Sequence, residues 1–112
     1  MAFSNGKLSD IVQVSTGNTV AMITVANSKK VYIRSVACFD ATGTGSTANI
    51  YIVPNGGSVS DATKLYKVAL TPSETALVEP IYPIVLDTTG DTLQVGAAGS
   101  TINFYITGDK DA

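Results

Sequence analysis

Nine carboxylates and one thiol carry most of the reactive chemistry in this 112-residue sequence. The carboxylates are Asp10, Asp40, Asp61, Glu74, Glu79, Asp87, Asp91, Asp109 and Asp111. The thiol is Cys38, and histidine is absent. Without histidine the chain lacks the commonest general base, the commonest metal ligand and the usual partner of a Ser or Cys nucleophile. One cysteine and no histidine exclude an ordinary zinc site. Two carboxylates facing one cleft could still hydrolyse a glycosidic bond. Most of these, however, stand in turn contexts, where aspartate accepts backbone N–H bonds. The run "DTTGD", Asp87 to Asp91, offers oxygen ligands for Ca²⁺ but too few for an EF-hand loop, and reads as a turn. The glycine-rich "ATGTGSTAN" at 41–49 lacks the Gly-Lys-Ser/Thr ending of a phosphate loop, and no helix follows it. It reads as a hairpin loop. The chemistry therefore predicts no enzyme, no cofactor and no metal. Cys38 lies in an apolar run, cannot form an intrachain disulfide and is expected to be buried and inert.

Composition narrows the partners. Only 14% of residues are charged, against about 25% in an average soluble domain. Serine and threonine fill the gap, with 10 Ser and 14 Thr. Net charge is −2, and Lys29-Lys30 is the one adjacent basic pair. That argues against phosphate-backbone recognition, hence against a nucleic-acid partner. Weak net charge also leaves close packing of copies unopposed. The start "MAFSNGKLSD" has no apolar core of a signal peptide. The uncharged stretches 11–28 and 41–60 are laced with Ser, Thr, Asn and Gly, so neither reads as a membrane-spanning helix. A lone cysteine fits a reducing compartment. The expectation is a soluble chain made in the cytoplasm, with no membrane partner.

The elements that must position these groups are strands. Apolar and polar residues alternate with period two, and helical periodicity is nearly absent. Strands are predicted at 10–15, 19–26, 30–39, 48–54, 64–70, 75–79, 84–86, 92–97 and 101–107. Turn signals separate them: Thr16-Gly17-Asn18, Pro54-Asn55-Gly56-Gly57, Thr71-Pro72-Ser73, Pro80 to Pro83, Thr89-Gly90-Asp91 and Ala98-Gly99-Ser100. Abundant β-branched residues agree. Eight or nine short strands at this spacing predict an all-β, single-domain antiparallel β-sandwich of jelly-roll or immunoglobulin-like topology. Residues 9–108 form that domain, residues 1–8 are a candidate N-terminal arm, and 109–112 a short solvated tail. The strands at 10–15 and 19–26 are expected to pair, and 47–68 reads as two strands around a polar loop. Pro54, Pro80, Pro83 and Lys29-Lys30 look like devices that blunt sheet edges.

Alternation also sorts the faces. In "KVYIRSVACF", Val31, Ile33, Ala37 and Phe39 fall on one side, and Tyr32, Arg34, Val36 and Cys38 on the other. If 30–39 and 48–54 form a hairpin, Arg34 lies diagonally from Tyr51, within cation–π reach. Asn49 and Tyr51 then join Tyr32 and Arg34 outside, as do Asn103 and Tyr105 of "INFYIT". Tyr and Arg are enriched at interface hot spots. Phe3, Tyr32, Arg34, Asn49, Tyr51, Asn103 and Tyr105 are the candidate interface with neighbouring subunits. An open edge invites strand addition by a neighbour's arm, for which residues 1–8 are the candidate donor.

The segments "KKVYIRSVACFDATGTGSTANIYIVPNGGS" and "KLYKVALTPSETALVEPIYPIVLDTTGDTLQVGAAGSTINFYITG" resemble small β-sandwich virion structural proteins of tailed bacteriophages. The shared pattern is an Ile-Arg-Ser triplet at 33–35, a "Thr-Ala-x-Ile-Tyr-Ile-Val-Pro" strand at 47–54, a Pro-led turn, an "Ile-Val-Leu-Asp…Gly-Asp-Thr-Leu" segment and a final alternating strand. The likeness covers residues 30–108 and is mostly strand and turn grammar; residues 1–29 depart from it. It implies a homo-oligomeric virion protein, a trimer by expectation, with no catalytic residues. Its partners would be the major capsid protein or tail and neck proteins, met in the host bacterial cytoplasm during assembly. A capsid decoration (cement) protein is the first expectation. A tail, neck or fibre-attachment component is the second, and a glycan-binding β-sandwich module the third.

Overall fold

Ten strands account for the alternation. The computed structural model describes residues 3–27 and 29–111. In chain order the strands are Phe3–Lys7 (β1), Val12–Val14 (β2), Thr19–Thr24 (β3), Val31–Asp40 (β4), Ser46–Val53 (β5), Lys64–Leu70 (β6), Thr75–Val78 (β7), Ile84–Leu86 (β8), Thr92–Ala98 (β9) and Ile102–Asp111 (β10). They form two antiparallel sheets. One runs β1-β10-β4-β7, with β2 also on β10 and β8 also on β4; the other runs β3-β9-β5-β6. Every predicted strand is present within a few residues, and the all-β sandwich is the observed fold.

The core lies between the sheets. Val14, Ile33, Val36, Cys38, Ile102, Phe104 and Ile106 of the first sheet meet Ile23, Ala48, Ile50, Leu93 and Val95 of the second. These side chains are almost wholly removed from water, each worth about 1.5–3 kcal/mol of gross burial for the larger aliphatics and Phe. In β10 the inward set is Ile102, Phe104 and Ile106, as the period-two pattern requires.

Pairing departs from expectation in two places. β2 and β3 do not pair: β2 lies on β10, while β3 lies on β9 in the other sheet. Gly17, at φ +82°, turns the chain from one layer to the other. β4 and β5 are not a hairpin either. β4 is flanked by β10 on one side and by β7 and β8 on the other, so neither flank is free for β5. The glycine-rich loop at 41–45 is thus a crossover between sheets. The β5–β6 pair does form the two-stranded unit expected of 47–68, with a register shift at Ile50/Tyr51.

The facing of β4 is also corrected. Thr107 pairs with Ser35 and Gly108 with Ile33, which leaves Arg34 as an extra residue in β4. A β-bulge of this kind reverses the inward–outward phase of the residues beyond it. Val31 and Ile33 point inward, and so do Val36 and Cys38, while Ala37 and Phe39 turn outward.

Segments near both termini belong to the sheet. Residues 3–7, expected as part of an N-terminal arm, pair with β10 from Phe3↔Asp111 to Lys7↔Thr107. "FSNGK" shows no apolar alternation because an edge strand gains its stability from backbone pairing. Residues 109–111, expected as a tail, are the end of β10, where the Asp111 carboxylate accepts the Lys30 amide at 2.9 Å. On the opposite edge β7 and β8 both pair with β4, and Glu79 to Pro83 interrupts them.

Candidate interaction surface

The groups with chemical potential are dispersed. Among the described residues no three of His, Cys, Asp and Glu gather where a metal ion would be held. Asp40 is the carboxylate most engaged with its surroundings. It closes β4 without solvent exposure. It accepts the Ser100 hydroxyl at 2.6 Å, the Gly45 N–H at 2.7 Å, the Ser73 N–H at 3.2 Å and the Gly43 N–H at 3.3 Å. The Ser100 hydroxyl bond holds its pKa below the ordinary value, burial opposes this, and the three backbone N–H bonds reinforce it. Asp40 thus ties the loops after β4, β6 and β9 together at one end of the sandwich. It has the role of a turn organiser. At "DTTGD", Asp91 accepts the Asn55 N–H at 3.0 Å and Gly90 adopts φ +89°, which is turn geometry. Burial pushes the Cys38 thiol up to about 12, so it stays protonated and unreactive at neutral pH.

The candidate interface residues divide between the two outer faces. Phe39 stands across from Asn103 on β10 and Thr75 on β7; Ala37 stands across from Tyr105 and Leu77. Tyr32 faces Asp109 and Val85. Tyr32, Arg34, Asn103 and Tyr105 therefore share the outer face of the β1-β10-β4-β7 sheet. Asn49 and Tyr51 lie on the outer face of the other sheet, beside Gly96 and Gln94 of β9. Phe3 lies in β1, and its side chain falls outside the described residues. The expected Arg34–Tyr51 contact is absent because the two strands belong to different sheets. Arg34 instead binds Asp109, with Nη2 at 2.6 Å and Nε at 2.7 Å from Oδ2. Tyr51 takes its cation from Lys64, whose Nζ stands 5.8 Å from the ring centroid.

Sequence reasoning passed over the apolar part of this surface. Leu77 is 54% exposed, Phe39 38% and Ile11 67%. Ile11, Ala37, Phe39, Thr75, Asn103 and Tyr105 line a pocket of about 260 Å³ on the outer face. At the interrupted edge Ile81 is 94% exposed and Tyr82 82%. Pro80 and Pro83 bracket them. Two large apolar residues between two prolines were visible in the sequence, but the segment reads there only as a strand separator.

No family model matches the chain, and no curated protein matches it. Solved structures do. The chain is similar to one from the crystal structure of the T13 particle of infectious bursal disease virus (IBDV), with TM-score 0.59 and 14% identity over 97% of this chain and 30% of that one. It also aligns with the VP2 subviral particle of the same virus, with TM-score 0.45 and 14% identity over 97% of this chain and 32% of that one. The chain thus spans about a third of the length of the solved chains it matches. At this identity the likeness is one of fold: the first of these structures shares the β-sandwich.

Proposed function

We propose that this chain is a non-enzymatic structural protein of a virus particle, and specifically a capsid decoration (cement) protein of a tailed bacteriophage. The observation that carries this reading is the row of exposed apolar groups along the β7–β8 edge of one sheet: Leu77 and Val85, the Ile81–Tyr82 tip between them, and Phe39 beside β7. Large apolar groups exposed along one edge mark a docking site. The fold supports the reading, since its solved neighbour belongs to a viral particle. The phage assignment rests on the sequence motifs at 30–108. Each copy would bridge neighbouring shell subunits by a modest contact, and symmetric repetition would raise the total hold. Arg34, Tyr32, Asn103 and Tyr105 would supply the polar rim of that contact.

Counting copies in purified particles by quantitative mass spectrometry tests this. Hundreds of copies per particle are expected of a protein that decorates a shell lattice. A few to a dozen would replace this reading with a tail or neck component. Absence from particles that package normally would overturn the virion role itself.

A further inference from the structure

We propose that copies of this chain associate head to tail, the Ile81–Tyr82 tip of one entering the apolar pocket of the next. Tip and pocket are both solvent-facing in one chain, and neither covers the other. Ile81 is 94% exposed. The pocket, about 260 Å³, lies near the Thr75 end of β7, while the tip follows the Val78 end. Its lining includes Ile11, Phe39, Thr75 and Tyr105, with Cys38 and Phe104 at its floor. Among the described residues no Lys, Arg, Asp or Glu lines it, and none stands in the Ile81–Tyr82 tip. Neither half of the contact must therefore strip water from a charge, a cost that opposes most pairings of exposed surfaces. Pro80 and Pro83 fix their own φ, and Pro83 restricts Tyr82, so seating the tip loses less backbone freedom than an ordinary loop would.

Area argues for a closed assembly. A buried tyrosine removes about 150–250 Å² from water. Isoleucine adds a comparable amount, and the pocket walls, already largely covered, add much less. The sum falls short of the roughly 1,200–2,000 Å² of a stable two-body interface. One tip in one pocket is thus a weak dimer. A tip meeting a different surface is a heterologous contact, and such contacts close into rings when the rotation allows. In a ring every copy gives one tip and receives one, which doubles the contact per copy. This inference does not depend on a particle; it assigns the tip to a neighbouring copy and leaves Leu77 and Val85, outside both tip and pocket, exposed for a shell contact.

Sedimentation velocity with light scattering on the purified full chain tests it. The wild type is expected to populate a discrete closed oligomer as concentration rises. Ile81→Asp, altered at the tip, and Ile11→Glu, altered at the pocket rim, should each be monomeric with an unchanged thermal midpoint. Both positions are exposed; Thr75→Trp, which fills the pocket from an exposed site, serves as a second pocket variant should Ile11→Glu misfold. Mixing is decisive. Ile81→Asp keeps a working pocket and Ile11→Glu a working tip, so a mixture offers a single contact per pair and should form at most a weak one-to-one heterodimer at high concentration that grows no further. A monomeric wild type, an oligomer unaffected by Ile81→Asp, or a mixture that rebuilds the wild-type oligomer would each overturn the proposal. Particle copy number stands apart from all three results, so the virion reading survives or fails independently.

Discussion

Gly108 of β10 lies directly under the backbone carbonyl of Tyr32 on β4, so close that a Cβ at position 108 would overlap that oxygen and press on the Arg34 amide. This is the point where the register slips and Arg34 becomes the extra residue of the bulge. The absence of a side chain at 108 lets the two strands approach, and the approach turns Val36 and Cys38 inward.

Gly108→Ala should therefore be costly. The obstacle is backbone, which cannot rotate away as a side chain would. Overpacking of this kind costs about 1–3 kcal/mol and occasionally more, and the upper part of that range is expected. Denaturant unfolding should show a lower midpoint at unchanged slope. A loss under about 0.5 kcal/mol, the ordinary scatter of surface substitutions, would mean the bulge relaxes freely.

The same contact explains what the sequence could and could not show. Alternation in "INFYIT" placed Ile102, Phe104 and Ile106 in the core, because nothing interrupts β10 before Thr107. The same rule misplaced Phe39 and Cys38, because the bulge arises from a glycine some 70 positions along the chain. Local patterning also could not tell that β4 would have both flanks filled, so the Arg34–Tyr51 pair inferred from a hairpin does not exist. Pairing partners depend on which edges are left open, and that is decided by the whole sheet. The residues of the candidate surface were half legible. Polar and aromatic members stood out by type, whereas Leu77 is exposed only because of where β7 lies, and Ile11 because it precedes β2 outside the sheet.

Arg34→Ala should cost about 0.2–1 kcal/mol, as expected of an ion pair with one exposed partner. A double-mutant cycle with Asp109→Ala should recover most of that as coupling, and it should shrink in high salt. A cycle with Tyr51→Ala should be additive within about 0.3–0.5 kcal/mol, since the sites share no partner. Coupling between Arg34 and Tyr51 would contradict the two-sheet arrangement.

Asp40→Asn should loosen the three loops that meet at the end of β4, since one carboxylate now accepts four donors. The sign with pH comes from the lowered pKa. A carboxylate with a folded-state pKa below its unfolded value contributes fully above that unfolded value. The contribution fades as pH falls through the folded-state pKa. The thermal midpoint of wild type should exceed that of Asp40→Asn at neutral pH, and the gap should narrow from about pH 5 downward. A gap that stays constant into acid would assign the effect to shape and not to charge.

Cys38 should resist a thiol-specific reagent in the native protein at pH 8 and react stoichiometrically once unfolded. Its burial holds the thiol protonated, and only the thiolate attacks. The labelling rate in intermediate denaturant should therefore follow the unfolding transition. Rapid labelling of the folded chain would place Cys38 at the surface and undo the inward assignment of β4.

Removal of residues 1–7 separates two roles for the N-terminal segment. A dispensable arm would leave the domain unchanged on its own and alter only its attachment. As the outermost strand on β10, β1 satisfies backbone groups along the half of β10 from Thr107 to Asp111. Its loss would leave that half of β10 as an open edge, which invites pairing with other chains. The truncated protein should still fold, because the described core is built by residues of β2 to β6 and β8 to β10. It should melt at a lower temperature and exchange the amides of 107–111 faster. It should also self-associate in a way that Ile81→Asp does not prevent. An unaltered melting temperature with unaltered exchange at 107–111 would show that the segment detaches freely and would restore the arm.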